Sequence, residues 1–463
     1  MDERECLIIG GGPAGYVAAI RAHQLGVKAT LVEKDALGGT CLNRGCIPTR
    51  ALVRGVELLR LPAKAKEFGI NYQVPEVNFQ KMMERKDTII KTIGGGVRDL
   101  LCENGIEVIK GEAKLTSSTE IQVSEESMTR HFKSNKILIA AGIKHQKPNV
   151  PGANSIITIS EALALKAIPE SMLILGAGSI GITYAVIFAR LGSQVTVIEE
   201  STQILKGFDR ELVGLLEREI RKEKVKIITE ATLKEVQEET AIVAIKSVSE
   251  NVSTKCVLAA DMKVATDAVG LGLENAGITV INGHIKVDNH LETNVPGIYA
   301  AGDVAGGPML AHAAFIGGRI VAENVAGKNS SIDFNTIPSC IYTFPEIATV
   351  GLTEEEAIAR GNTVRIGRFP FSANGLATIN GERNGLVKIV TETKYEQILG
   401  VHILGHSASE LISEAVLAMR LEEPARVIGS TIHLHPTLSE ALMEAALDVN
   451  GETIHFVSKN QRV

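Results

Sequence analysis

The stretch Cys6-Leu7-Ile8-Ile9-Gly10-Gly11-Gly12-Pro13-Ala14-Gly15 decides how this chain is read. Four apolar residues with no charge read as a buried parallel strand. They run into Gly10-x-Gly12-x-x-Gly15, then into a helix-like segment from Tyr16 to Leu25 that Gly26 closes. A second strand, Lys28 to Val32, ends at Glu33. In such a unit the first glycine permits a tight turn. The second lets the backbone approach a pyrophosphate, the third lets helix and strand pack, and the helix N-terminus faces the phosphates. Glu33 is placed to accept hydrogen bonds from ribose hydroxyls. A glycine triplet alone is weak evidence. Strand, triplet, helix, strand and acid in order form a dinucleotide-binding pattern.

The pattern then repeats. Met172 to Leu175 leads into Gly176-x-Gly178-x-x-Gly181, a helix to about Leu191, and a strand Gln194 to Ile198 ending at Glu199. Gly10 to Glu33 and Gly176 to Glu199 both span 23 positions. A repeated dinucleotide fold implies two dinucleotides on one chain. An acid at Glu199 repels a 2′-phosphate, so NAD is favoured there over NADP. The plainer alternative is a second unit of the same build with an empty site. The uncharged run Ser171 to Ala189 contains three glycines and reads as strand, turn and helix rather than a membrane span.

Between the two units stands Gly38-Gly39-Thr40-Cys41-Leu42-Asn43-Arg44-Gly45-Cys46-Ile47-Pro48. Two cysteines five positions apart on a regular helix would be about 7.5 Å apart along the axis. A disulfide needs Cα atoms roughly 4.4–6.8 Å apart. A bridge here would require a distorted turn, which Asn43 and Gly45 allow, and a strained bridge is easily reduced. Two unpaired buried thiols are the alternative, and spacing does not choose between them. Cys6, Cys102, Cys256 and Cys340 are scattered and read as apolar filler.

At 463 residues the chain is long enough for two to four domains. A net charge of −6 with no basic stripe argues against nucleic acid as a partner. The charged start, Met1-Asp2-Glu3-Arg4-Glu5, is not a signal or transit sequence. The reading therefore expects a reducing cytoplasm, where a thiol pair is more often catalytic than structural.

The remaining segments fill in the plan. Residues 50–60 read as a helix with an apolar stripe of Leu52, Val53, Val56 and Leu59. Residues 78–104 read as a long helix interrupted by Gly94-Gly95-Gly96. Lys136 to Gly142 is a strand ending in the small residues Ala141 and Gly142, and Pro148 and Pro151 mark a boundary. Gly297 to Asp303 places an acid beside Gly302 at a strand end, where it can bond a ribitol hydroxyl. Ala311 to Val325 reads as a helix. From about residue 336 the pattern is antiparallel, with strands at Leu386 to Thr391 and Ile398 to Leu404 and helices near 407–420 and 438–447. This part lacks a phosphate loop and reads as an association surface. Near its end, His433-Leu434-His435-Pro436-Thr437-Leu438-Ser439-Glu440 places a carboxylate five residues after His435. That pair has the parts of an oriented acid–base imidazole. The two histidines read equally as metal ligands or surface residues.

Taken together, Gly38-Gly39-Thr40-Cys41-Leu42-Asn43-x-Gly45-Cys46-Ile47-Pro48, Tyr342-Thr343-x-Pro345-Glu346, Gly351-Leu352-Thr353-Glu354-Glu355, Ala408-Ser409-Glu410-Leu411-Ile412 and the His433 to Glu440 run resemble the pyridine nucleotide–disulfide oxidoreductases, in particular the dihydrolipoamide dehydrogenases among them. The resemblance spans nearly the whole chain. It implies an α/β fold of two Rossmann-like domains plus a C-terminal α+β dimerisation domain. The expected divisions are an FAD domain at 1–146, an NAD domain at 147–270, a central segment at 271–335 that completes the FAD domain, and a dimerisation domain at 336–463. It implies FAD against Gly10, Gly12, Gly15, Glu33, Gly39, Thr40, Arg50, Ala141, Gly142, Gly302 and Asp303, and NAD against Gly176, Gly178, Gly181 and Glu199, with no metal. It implies a redox disulfide between Cys41, the interchange thiol, and Cys46, next to the flavin. His435, oriented by Glu440, would act as base for the other subunit of a homodimer. The expected reaction is oxidation of dihydrolipoamide on the lipoyl domain of a 2-oxo-acid dehydrogenase complex or on the glycine cleavage carrier protein, with NAD+ as acceptor and neither nucleic acid nor membrane as partner. The alternatives are a reductase of another small disulfide and a flavin-binding relative with impaired NAD use.

Four departures from the family pattern bear on that expectation. Thr49-Arg50 stands where Ser-Lys is usual, Arg44 where an apolar residue is usual, and Thr183 where a Glu is usual. The family's Ala-Thr-Gly-Arg-x-Pro-Asn run is read at Ala265-Thr266-Asp267-Ala268-Val269, shortened. Thr183 and the altered run both point to weakened nicotinamide binding.

Overall fold

A computed structural model describes residues 2–73, 75–125, 128–261 and 263–458. Met1 and residues 459–463, at the ends of the first and last expected domains, lie outside the described residues.

The buried run Cys6–Ile9 is the central strand of a five-stranded parallel sheet. Its neighbours are Ala29–Glu33 on one side and Ile137–Ile139 on the other, with Glu107–Lys110 and Ile298–Ala300 at the edges. All of Cys6–Ile9 is buried because both faces of a parallel sheet are covered. The strand Ile298–Ala300 returns to this sheet after the second nucleotide unit has been completed. The helix Pro13–Gln24 follows the glycine loop and lies against Ala311–Val325, the helix expected from sequence. An antiparallel pair of hairpins, with Glu112–Leu115, Glu120–Ser124 and Thr129–Lys133, covers the unit beside the short strand Asp2–Glu3.

The helix Phe79–Glu103 runs unbroken through Gly94, Gly95 and Gly96, contrary to the expected interruption. Each glycine costs about 1 kcal/mol relative to alanine. Burial of Phe79, Met83, Val97 and Leu101 along one face offsets that cost. The helix expected at 50–60 begins earlier and spans Cys46–Leu58, so that Cys46 is its first residue.

The second unit repeats the first. Its parallel sheet runs Lys226–Ile228, Gln194–Ile198, Ser171–Leu175, Cys256–Ala259. The uncharged stretch from Ser171 is the strand Ser171–Leu175 and the helix Ser179–Arg190. A three-stranded antiparallel layer, Ala231–Gln237, Thr240–Ile245 and Val248–Ser253, covers it. Chain entry and exit are tied by an antiparallel ladder between Lys144–Gln146 and Lys263–Ala265. That ladder corrects the reading of the altered run. Ala265 belongs to the tie, and the strand beside Ser171–Leu175 ends instead at Ala260-Asp261.

The C-terminal part is a five-stranded antiparallel sheet in the order Ser339–Ile341, Glu346–Gly351, Ile398–Gly405, Leu386–Glu392, Val364–Pro370. The helices Ala408–Arg420 and Glu440–Asp448 pack on it. Ile432, Leu434, Ile454 and Val457 stand exposed on this part, Ile432 at 97 %. Among the described residues no helix is long and apolar enough to cross a membrane.

The charged end of Lys388 is built into the core. Lys388 has a side chain only 2 % exposed, and its Nζ lies 2.8 Å from Asp209 Oδ2, 2.8 Å from Glu354 Oε2 and 3.3 Å from Glu211 Oε2. Burial alone would pull the ammonium pKa down, yet the bonds to Asp209 and Glu354 hold it above its ordinary value. Asp209 also caps the helix Arg210–Lys222 by accepting from the Glu211 and Leu212 amides. The cluster therefore ties the second nucleotide unit to the C-terminal sheet. Replacing Lys388 by Met leaves the buried Asp209 without its cation, while Glu211 and Glu354 keep Arg368, and should lower stability by about 3–5 kcal/mol. Urea unfolding checks this, with the K388M/D209N double variant expected to recover part of the loss.

Candidate active site

The first glycine loop and the cysteine segment are held together by close backbone approach. Gly38 N donates to Gly11 O at 2.8 Å. A Cβ on Gly39 would stand 2.7 Å from the Gly12 Cα, so only glycine fits there. The short helix Gly39–Arg44 starts at this contact. Asn43 fastens the turn, its Nδ2 donating to Leu37 O and Gly39 O at 3.1 and 2.9 Å. Gly45, with φ −134° and ψ −108°, then breaks the chain direction, and Cys46 opens the thirteen-residue helix Cys46–Leu58. The distorted connection expected from the spacing is thus a helix break at Gly45. Arg44 points outward to Asp35 at 2.6 Å.

Cys41 and Cys46 stand as two thiols, the reduced form of the pair that the resemblance implies cycles between disulfide and dithiol. Their sulfurs are hydrogen-bonded, and this shapes both acidities. The Cys41 pKa is pushed up, first by that bond and then by burial. The Cys46 pKa falls to about 7, because Cys41 donates to it and its own amide adds a second bond, against the opposing effect of burial. Cys46 also sits at a helix N-terminus, where negative charge is favoured. Of the two thiols, Cys46 is therefore the more acidic. The negative charge of Asp303 raises both pKa values and so opposes thiolate formation at either sulfur.

Around this pair the first unit forms a cradle. Glu33 Oε2 accepts from Gly11 N at 2.6 Å and Oε1 from Asp35 N at 2.7 Å, which fixes the acid at the strand end. A Cβ on Gly12 would meet nothing nearer than 3.8 Å, and one on Gly142 would meet nothing within 4 Å. Open space above a helix N-terminus, an oriented acid and small residues at the neighbouring strand end fit an FAD pyrophosphate and ribose. Gly302 and Asp303 follow the strand Ile298–Ala300 in the same sheet.

Arg50 is turned from that cradle toward the C-terminal sheet. Its Nη2 lies 3.1 Å from Glu346 Oε1, and its guanidinium stacks 4.0 Å from the Tyr342 ring centroid. The same Glu346 holds the Ser409 amide and hydroxyl at 3.1 and 2.8 Å. Thr49 hydrogen-bonds Tyr184, and Thr183 donates to Ser179 O one turn back in its own helix at 2.7 Å. Thr183 thus spends its hydroxyl on its own backbone.

In the second unit Glu199 copies Glu33, with Oε2 accepting from Ala177 N at 2.8 Å and Oε1 from Ser201 N at 2.9 Å. What differs is Asp261, which sequence reasoning missed. Its Oδ2 accepts from Gly178 N at 2.6 Å, directly over the glycine loop. The signal was the internal repeat. The strand Ile137–Ile139 ends in Ala140-Ala141-Gly142, and its counterpart Cys256–Ala259 ends in Ala260-Asp261.

His435 Nδ1 lies 2.8 Å from Glu440 Oε1, and Glu440 Oε2 accepts from Thr437 N at 2.8 Å. Burial would raise the Glu440 pKa, but the Thr437 amide and His435 outweigh it and hold it low. His433 has its own carboxylate, Glu414, at 2.9 Å, which separates it from the His435 pair. His435 is 79 % exposed at its side chain. Among the described residues no hydrogen bond or ion pair joins it to the cysteines of the same chain.

Two family models cover the chain. Residues 4–318 match "Pyridine nucleotide-disulphide oxidoreductase", and residues 337–446 match its "dimerisation domain". A dihydrolipoyl dehydrogenase of Thermus scotoductus is 40 % identical, over 99 % of this chain and 100 % of its own length. One from Bacillus subtilis is 39 % identical, over 98 % and 99 %. Among solved structures, the Cu(II) complex of the HOCl-induced flavoprotein disulfide reductase RclA from Escherichia coli superposes with a TM-score of 0.86 at 27 % identity. It covers 96 % of this chain and 99 % of that one.

The hydrogen bond between the thiols makes a measurable prediction. In the reduced protein, alkylation of Cys46 by iodoacetamide should titrate with a midpoint of about 7. In Cys41→Ala the donor is lost, and the midpoint should rise toward about 8.5, the ordinary thiol value. Mass-spectrometric alkylation rates against pH read both.

Proposed function

We propose the activity of this chain from one premise: it belongs to the pyridine nucleotide-disulphide oxidoreductase family. It is an FAD-dependent dihydrolipoyl dehydrogenase with NAD+ as acceptor. FAD is bound at the first glycine loop by Gly10, Gly12, Gly15, Glu33 and the segments at Gly39-Thr40, Ala141-Gly142 and Gly302-Asp303. NAD is bound at the second loop, by Gly176, Gly178, Gly181 and Glu199. Bound FAD supplies a two-electron relay between the dithiol and NAD+. The nucleotide units divide near residue 147, the segment 271–335 completes the first, and 336–463 associates two copies. The matched dimerisation domain and the exposed apolar residues Ile432, Leu434, Ile454 and Val457 support a homodimer.

The observation that carries the reading is the thiol pair beside the first glycine loop, with Cys46 at a helix N-terminus and the more acidic of the two. In the oxidised protein a substrate thiolate attacks Cys41 Sγ, and the Cys41–Cys46 bond breaks with its electron pair on Cys46. A sulfur of low pKa leaves faster, so the geometry selects Cys46 as the leaving group. The second substrate thiolate then attacks the sulfur bonded to Cys41. This closes lipoamide and frees Cys41, which takes up a proton. Two substrate thiols become one disulfide, and the protein disulfide becomes the Cys41 thiol and the Cys46 thiolate, so the electrons balance. The remaining proton is taken by His435 at Nε2, because Nδ1 is already bonded to Glu440. The exposure of His435 and its separation from the cysteines of its own chain suit action on a second copy.

The substrate is placed on a lipoyl domain of a 2-oxo-acid dehydrogenase complex, or on the glycine cleavage carrier protein, in a reducing cytoplasm. Anaerobic addition of dihydrolipoamide to the purified protein tests the reading, and a long-wavelength thiolate–flavin band is expected. Protein that stays fully oxidised under that addition overturns it. Cys46→Ser should abolish dihydrolipoamide oxidation while keeping bound FAD. His435→Gln should lower kcat by roughly 10²–10⁴-fold with FAD content unchanged.

A further inference from the structure

The two glycine loops share one backbone plan but differ in what lies over them. Above the first, the neighbouring strand ends in Ala141 and Gly142; a Cβ at Gly10 would meet the Ala140 carbonyl at 2.4 Å, but one at Gly12 would meet nothing nearer than 3.8 Å. Above the second, the neighbouring strand ends in Asp261. A Cβ added at Gly176 would fall 2.4 Å from the Asp261 Cβ, and one at Gly178 would fall 2.7 Å from its Oδ2. Gly178 is the N-cap of the twelve-residue helix Ser179–Arg190, and its side chain being absent, no cap residue of the helix competes for that position. Asp261 Oδ2 accepts from the Gly178 amide at 2.6 Å. A carboxylate bonded to the amide at a helix N-terminus occupies the place where a dinucleotide sets its pyrophosphate.

We propose that Asp261 is a specificity-determining residue for the nicotinamide leg, an internal anion that stands in for the pyrophosphate and must swing out before NAD enters. The inference rests on the nucleotide reading of the second loop given above. Two negative side chains now border the loop. Glu199, at the end of Gln194–Ile198, is held by Ala177 and Ser201 amides, while Asp261 is held by Gly178. Partial desolvation against the loop and the nearby Glu199 both disfavour the Asp261 charge, and the bond from the Gly178 amide opposes them. A pyrophosphate arriving here meets like charge and must also replace the Gly178 bond. FAD at the first loop meets the counterpart acid Glu33 but no carboxylate bonded to the amide of Gly12. The same cause makes this chain discriminate between its two dinucleotides by occupancy of the loop, although the glycine patterns are alike.

Calorimetric titration of the FAD-loaded protein with NAD+ tests this on the unsubstituted chain and on Asp261→Thr and Asp261→Asn. Asp261→Thr removes both charge and reach, and should bind NAD+ at least tenfold more tightly. Asp261→Asn keeps the shape and removes the charge, and should fall between. FAD content and thermal unfolding of each variant confirm that the fold is kept. Affinities of both variants within twofold of the unsubstituted chain, or weaker, overturn the proposal. The anaerobic dihydrolipoamide experiment on the unsubstituted protein does not involve Asp261. A failure there removes the functional reading, whereas unchanged NAD+ affinity removes only the role of Asp261.

Discussion

The placement of two thiols at the foot of the first glycine loop, Cys46 at a helix N-terminus, is the constraint on which the chemistry of this molecule turns. It exists because backbone crowding leaves no choice of residue. Gly39 lies against Gly12, so the cysteine helix begins on top of the nucleotide loop. Gly45 then turns the chain so that Cys46 starts a long helix with its sulfur facing that of Cys41. The hydrogen bond and the helix N-terminus act in the same direction on Cys46 and overcome the penalty of burial. Without the asymmetry, either sulfur could leave, and the direction of exchange would not be set.

The units that frame this pair are held by charged contacts rather than by apolar packing alone. Lys388, deep in the C-terminal sheet, gathers carboxylates from the second nucleotide unit and from Glu354. Arg50, four residues beyond Cys46 on the same helix, reaches Glu346 and stacks on Tyr342. The helix that carries the reactive thiolate is thereby pinned to the part of the chain that carries His435. A forked, planar guanidinium can bond and stack at once, which a lysine at that position could not do.

The comparison of the two glycine loops shows how little sequence is needed to separate two sites of one plan. Gly11 and Ala177 donate to equivalent glutamates, and both helices start on a glycine. A single side chain on a neighbouring strand, Asp261, changes one loop from open to filled. Anion sites at helix ends are made of backbone amides, so their occupancy depends on what a distant segment brings to them.

The sequence by itself determined the two glycine units, the strand Cys6–Ile9, the helix Ala311–Val325 and the antiparallel C-terminal strands. It did so because strand runs, glycine spacing and terminal acids are local signals, and the motifs around Cys41, Cys46 and His435 are contiguous. The continuous helix through Gly94 to Gly96 was not legible, since its cost is offset by burial contributed from elsewhere. The altered run was misplaced at Ala265 because pairing partners decide which strand belongs to which sheet, and Ala265 pairs with Lys144. Only the tertiary structure decided that Asp261 covers Gly176 and Gly178, that Arg50 turns to Glu346, and that Cys46 opens a long helix at its N-terminus. Each of those depends on a distance between atoms, which residue order alone does not contain.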